Sequence, residues 1–171
     1  MGHRDRLIEG SRLAIRALIW ANRLLLVALV VGLILSWVFP QLVNILLQAP
    51  PGEDVAWSRT GVRLLVLVGV AGCLATVRLF ELLAQIVATV GVGDPFIAAN
   101  ARRLQGIGWC LLVLQLLDIP AALIGRFFPA LASATGDSFS IGGWISVLMV
   151  FILSRVFAAG SAMREELEGT V

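Results

Sequence analysis

Apolar residues run in four long blocks along the chain, at 18–39, 62–90, 107–128 and 141–160, with polar and charged residues gathered between them. Each block reaches the roughly 20 residues that a helix rising 1.5 Å per residue needs to cross about 30 Å of hydrocarbon. Over that length in lipid, only a helix satisfies its own backbone groups. The pattern predicts an all-α, polytopic membrane protein with four transmembrane helices arranged as two hairpins. Segments 40–61 and 129–140 become outer loops and 91–106 an inner hinge. These connections are short, so residues 1–171 form a single integral-membrane domain.

The hinge holds the only long interior change of pattern. Gly91 and Gly93 end the second span, since glycine tolerates the left-handed turn at a helix C-terminus. Asp94-Pro95 then starts a new helix: the carboxylate accepts from the free N–H groups of the first turn, and proline there wastes no donor. Phe96 begins this helix, which carries Asn100, Arg102 and Arg103 into the third span. Capping accounts for Asp94 and Pro95. It does not account for Asn100, whose amide at the inner interface is free to bond a cluster or a partner.

Two further segments have helical periodicity. Within residues 4–19, Asp5, Glu9, Arg12 and Arg16 share one stripe, which predicts an amphipathic N-terminal helix on the inner leaflet or an extension of the first span. After Pro40, Leu42, Ile45 and Leu46 recur at helical spacing, predicting a short interfacial helix that Pro50-Pro51-Gly52 breaks.

Composition sharpens the class. Of 171 residues, 59% are hydrophobic and only 14% charged, far below the quarter typical of a soluble domain. The net charge is +2. All thirteen basic residues are arginine and most flank apolar runs, a placement that fits positive-inside bias and not direct binding of nucleic acid. One side collects Arg4, Arg6, Arg12, Arg16, Arg23, Arg102, Arg103 and Arg164; the other holds Arg59, Arg63 and Arg126. Both termini are therefore expected in the cytoplasm of a cell with this protein in its inner membrane. Trp20 and Trp109 fall at the inner interface, and Trp37, Trp57, Trp144 and Phe127–Phe128 at the outer one. The first block is too long for a signal-peptide core, and Ser36-Trp37-Val38-Phe39 is no small-residue cleavage site.

Polar residues inside the blocks are the candidate functional positions. Arg78 and Glu81 lie three apart on one helix face, and Arg78-Leu79-Phe80 is echoed by Arg155-Val156-Phe157 at a similar depth. An Arg–Glu cluster of Arg23, Arg78, Glu81 and Arg155 is expected among the first, second and fourth spans. In the third span Gln115 and Asp118 precede Pro120, with Asp118 about 15 Å in, near the midplane. Its carboxyl is expected to bond Gln115 and carbonyls freed by a proline kink, or to serve as a proton or cation site. Small residues four apart, Gly32 with Ser36, Gly69 with Cys73 and Gly72 with Thr76, fit close helix packing within the chain first and a homo-oligomer second. Cys73 and Cys110 read as packing residues, and no spacing suggests a metal or cofactor site.

The segment Asp94-Pro95-Phe96, Asn100, Arg103-Leu104 and Gly108-Trp109, with the ending Val156-Phe157, Gly160, Met163-Arg164 and Glu166 to Val171, resembles the bacterial family catalogued as domain of unknown function twenty-nine seventy-five. The resemblance implies a small four-helix inner-membrane protein. Its members are often encoded beside a small helix-turn-helix regulator, which implies such a regulator as partner; it supplies no catalytic or binding residues.

No paired acids, histidine cluster, Ser–Lys dyad or phosphate loop supports an enzyme. The favoured expectation is a membrane regulator or sensor holding a cytoplasmic partner. The alternative is a small transporter or channel subunit using Asp118 and the Arg78–Glu81 pair.

Overall fold

The structure is a computed structural model, which describes residues 3–41, 43, 55–92, 96–135 and 140–168. Among these residues the regular elements are all helical: α1 His3–Val38, α2 Val55–Val92, α3 Ala98–Phe127, a 3-10 turn Pro129–Leu131, α4 Ala132–Thr135 and α5 Ile141–Glu168. Four of these, α1, α2, α3 and α5, are long and apolar enough to cross a membrane. The interfacial helix expected around Leu42, Ile45 and Leu46, and the Pro50–Pro51 break after it, lie outside the described residues.

α1 has 36 residues and α2 has 38, roughly 54 and 57 Å at the helical rise, so both exceed the hydrocarbon thickness. The amphipathic stretch expected at the N-terminus is continuous with the first span, because no proline interrupts His3–Val38. Pro40 follows, and a residue before proline is pushed out of the helical region. α2 begins at Val55, seven residues earlier than the apolar block. Trp57 stacks on Phe128 with ring centroids 4.8 Å apart, its indole N–H donates to the Phe127 carbonyl at 3.4 Å, and Ser58 is fully buried. These contacts turn the end of the expected outer loop into helix. α3 runs through Pro120 to Phe127 without a break.

The four long helices pack in series: α1 on α2, α2 on α3, α3 on α5. Each pair is antiparallel. Along the first seam Ser36 meets Arg63, Leu29 meets Gly69, and Arg23 meets Glu81. Along the second, Phe128 meets Gly61, Leu114 meets Gly72 and Asn100 meets Thr89. Along the third, Gln115 meets Gly143, Phe151 meets Gly108 and Phe96 meets Phe157. The N-terminal end of α1, the C-terminal end of α2, the N-terminal end of α3 and the C-terminal end of α5 therefore share one end of the molecule.

A row leaves much apolar surface uncovered. Leu24, Leu67, Leu148 and Met149 are all at least half exposed, on helices whose outward faces suit lipid and not water. Without a hydrophobic force between helices in lipid, close van der Waals approach does the holding. Glycine permits it. Leu82 reaches within 2.8 Å of where a side chain on Gly106 would begin, and Leu29 within 3.2 Å at Gly69. Gly32 differs from the expectation for its motif: nothing lies within 4 Å of its Cβ position, so it faces away from the described helices. Its partner in the motif, Ser36, is buried by bonding with Arg63 instead.

The second outer connection also departs from a plain loop. Phe128, expected at the interface beside Phe127, is 4% exposed and forms a small core with Ile124 and Leu131, packed against Val62, Leu65 and Val68. Gly61 makes room for its ring: a Cβ there would sit 2.5 Å from Phe128 Cγ. Gly61→Ala should consequently lower stability by about 1–3 kcal/mol through overpacking. Gly32→Ala should leave it unchanged or slightly raised, since alanine favours the helix. Thermal unfolding of both variants in one detergent checks the pair, and equal effects would contradict this packing.

Candidate functional site

The shared end of the molecule is held by a hydrogen-bond circuit at the α2–α3 turn. Asn100, in the first turn of α3, is fully buried. Its Nδ2–H donates to Thr89 Oγ1 at 2.8 Å, and the Thr89 hydroxyl donates to the Ile86 carbonyl at 2.7 Å. Arg103 Nη1–H donates to Asn100 Oδ1 at 2.8 Å, while its Nε–H donates to Gln85 Oε1 at 3.1 Å. The last turns of α2 are thus tied to the first turns of α3 through one amide. A buried amide without these partners would cost its full desolvation.

Helix start and sequence expectation differ by two residues. α3 begins at Ala98, and Ile97 is the N-cap in an extended conformation (φ −113°, ψ 146°) with no side-chain capping bond. Phe96 is outside the helix, its ring stacked on Phe157 of α5 at 4.9 Å. That stacking draws Phe96 off the helix axis. Asp94 and Pro95 lie outside the described residues.

The expected Arg–Glu cluster forms in part. Arg23 Nη2 lies 3.2 Å from Glu81 Oε1, and Arg78 Nη1 lies 3.7 Å from Glu81 Oε2, so one carboxylate bridges α1 and α2. Arg155 does not join it. It is on α5, which packs on α3 and is separated from α1 and α2 by it. Arg155 lines instead a cleft between α3 and α5 together with Arg102. The two adjacent arginines of the hinge have therefore parted: Arg103 turns into the circuit and Arg102 onto the cleft.

In the middle of α3, Gln115 Nε2–H donates to Asp118 Oδ2 at 2.9 Å. The amide lies against Gly143 of α5, whose missing side chain leaves it room. Gln115 Oε1 is buried and has no hydrogen-bond partner among the described residues. Asp118 and Glu81 belong to different seams and are not brought together. Among the described residues, no three His, Cys, Asp or Glu side chains come close enough to hold a metal ion.

Residues 24–171 match the family described as "Protein of unknown function (DUF2975)". The chain belongs to that family. No curated protein and no solved structure matches it. The match takes in the hinge, the cleft and Asp118, and stops short of Arg12 and Arg16. As a DUF2975 member with four helices able to cross a bilayer, the chain is consistent with an integral membrane protein.

Several residues hold positioning roles that the sequence did not assign to them. Arg63 donates to the Ser36 carbonyl at 2.8 Å near the C-terminus of α1 and lies 4.1 Å from the Trp37 ring centroid. A cation is favourable at a helix C-terminus and over an indole face. Asn22 donates from Nδ2 to the Cys73 carbonyl at 2.8 Å, a polar link inside the first seam. Thr89 and Gln85 complete the turn circuit. The available signal was polarity within apolar helix, which marks such residues without naming their partners.

Asn100→Ala removes both arms of the circuit and should destabilise the protein by about 1–3 kcal/mol. Thermal unfolding in detergent measures it; a change under about 0.5 kcal/mol, the size of an ordinary surface effect, would show that the circuit holds nothing.

Proposed function

We propose that the protein is a non-enzymatic regulator or sensor of the bacterial inner membrane. Its four helices form two hairpins with both termini in the cytoplasm, and its inner rim binds a soluble partner such as a small helix-turn-helix transcription factor. The observation that carries this reading is the character of the shared helix end. Arg12, Arg16 and Arg102 are exposed there, and among the described residues none makes a hydrogen bond or an ion pair. The same end is braced by Asn100 and Arg103. Exposed cations on a braced frame suit recognition of an acidic protein surface, raising its rate of encounter and fixing orientation. Positive-inside bias supports the cytoplasmic placement of that end.

The test is co-purification of the regulator from native membranes. Reversing charge in Arg12→Glu/Arg16→Glu should cut its recovery at least tenfold while the variant stays in the membrane fraction. Unchanged recovery would remove the basis of the reading.

One observation favours a second reading. The orphaned Gln115 Oε1 beside the Asp118 carboxylate offers two acceptors at bilayer depth, an arrangement suited to a proton or cation. As a transporter or channel subunit, the protein should pass protons or cations in liposomes, and Asp118→Asn should abolish the flux. Equal flux in both proteins would exclude Asp118 as the carrier. The Arg78–Glu81 pair lends this path no support, because it lies on the other side of α3's packing, in the α1–α2 seam.

A further inference from the structure

The α3–α5 seam is closed by aromatic rings at two levels. At one, Phe96 stacks on Phe157. At the other, Trp109 meets Phe151 edge-on at 5.4 Å, and Gly108 admits the Phe151 ring to 3.1 Å of its Cβ position. From the Phe151 level past Phe157 toward the C-terminal end of α5, the two helices present small side chains to each other, alanines on α3 against serines and alanines on α5, and leave a space between them. The result is an open cleft of about 470 Å³, lined by Arg102 and Gln105 from α3 and Ser154, Arg155 and Ser161 from α5.

The chemistry of the lining is one-sided. Among the described residues, no acidic side chain lines the cleft. Both arginines are exposed, and among the described residues neither makes a hydrogen bond or an ion pair. Each guanidinium offers five N–H donors, and the Gln105 amide two more. Ser154 and Ser161 donate their own hydroxyls to the Phe151 and Ala158 carbonyls at 2.7 and 3.0 Å, so the side-chain donors left for a ligand come from the guanidiniums and the amide. The N-terminus of α3 reaches the same place: Ala98 lines the cleft, and Ile97 supplies no capping side chain. The first-turn N–H groups and the helix dipole add further positive character there. Two like charges bordering one cavity repel unless an anion lies between them.

We propose that this cleft binds a phosphate group. Many donors and two guanidinium cations match a tetrahedral oxyanion, which such groups recognise with paired N–H contacts. The volume falls in the range of small-molecule sites and exceeds what bare phosphate needs, leaving room for a glycerol-type headgroup. The cleft opens near the arginine-rich end of the helices, where long side chains reach headgroup level. The phosphate therefore comes either from an anionic phospholipid of the leaflet or from solution. The site uses neither Arg12 nor Arg16 and needs no protein partner, so its test is separate from that of the regulator reading.

The experiment titrates purified protein in dodecyl maltoside, following tryptophan fluorescence. One arm adds inorganic phosphate against chloride at equal ionic strength. The other adds dioctanoyl-phosphatidylglycerol against dioctanoylglycerol, which lacks the phosphate. Saturable binding is expected in at least one phosphate-bearing arm, the lipid arm alone assigning a headgroup and the inorganic arm a soluble source. Arg102→Gln/Arg155→Gln should weaken it at least tenfold, and Arg126→Gln should not change it. Ala158→Trp, which fills the cleft without altering charge, should weaken it as strongly, and carries the test if the double variant fails to fold. Absence of saturation in both arms, equal binding of dioctanoylglycerol, or undiminished affinity in Ala158→Trp would overturn the proposal.

Discussion

Close approach at glycine is the constraint on which this arrangement of helices depends. In water, four apolar helices would collapse into a bundle to hide their surfaces; in lipid that drive is absent, and adhesion comes from contact. Contact is best where one backbone lacks a side chain. Gly69 receives Leu29, Gly106 receives Leu82, and Gly108 receives Phe151, one seam after another. Each glycine serves one neighbour, so the helices line up in a row. α3 is the hub of that row, meeting α2 on one face and α5 on another.

Polar side chains then fix register within the row. The Arg63–Ser36 contact, the Asn22 bond to the Cys73 carbonyl and the Arg23–Glu81 pair hold α1 on α2 at successive levels. Such bonds between helices contribute about a kcal/mol or less each in lipid, but each permits only one alignment. The α2–α3 turn is held more tightly. Its hydrogen-bond chain, from the accepting Gln85 amide through Arg103, Asn100 and Thr89, leaves no partner free to swing. The α3–α5 seam differs, since small residues meet small residues below Gly108 and a cleft remains between two arginines. Rigidity at the turn and vacancy at the seam sit side by side.

Much of the helical layout was legible in the apolar blocks, because length and composition settle what can cross a bilayer. The boundaries were less so. Val55–Thr60 read as loop, yet Trp57 and Ser58 form helix because Phe128 and the Phe127 carbonyl are there to meet them. Phe128 itself read as an interfacial ring and became core because Gly61, 67 positions away in sequence, opened a space for it. Arg155 read as a member of the Glu81 cluster by analogy of sequence with Arg78. Only the order of the helices places it with Arg102.

The amino-acid sequence by itself determined that this chain is helical and apolar enough to span a membrane four times, and which few polar residues its helices must carry. Those properties follow from hydropathy and backbone hydrogen bonding, which are local. Tertiary structure alone decided which of two adjacent arginines braces the turn and which faces the cleft. A helix turns about 100° per residue, so neighbours in sequence address different helices, and only packing determines what stands opposite each.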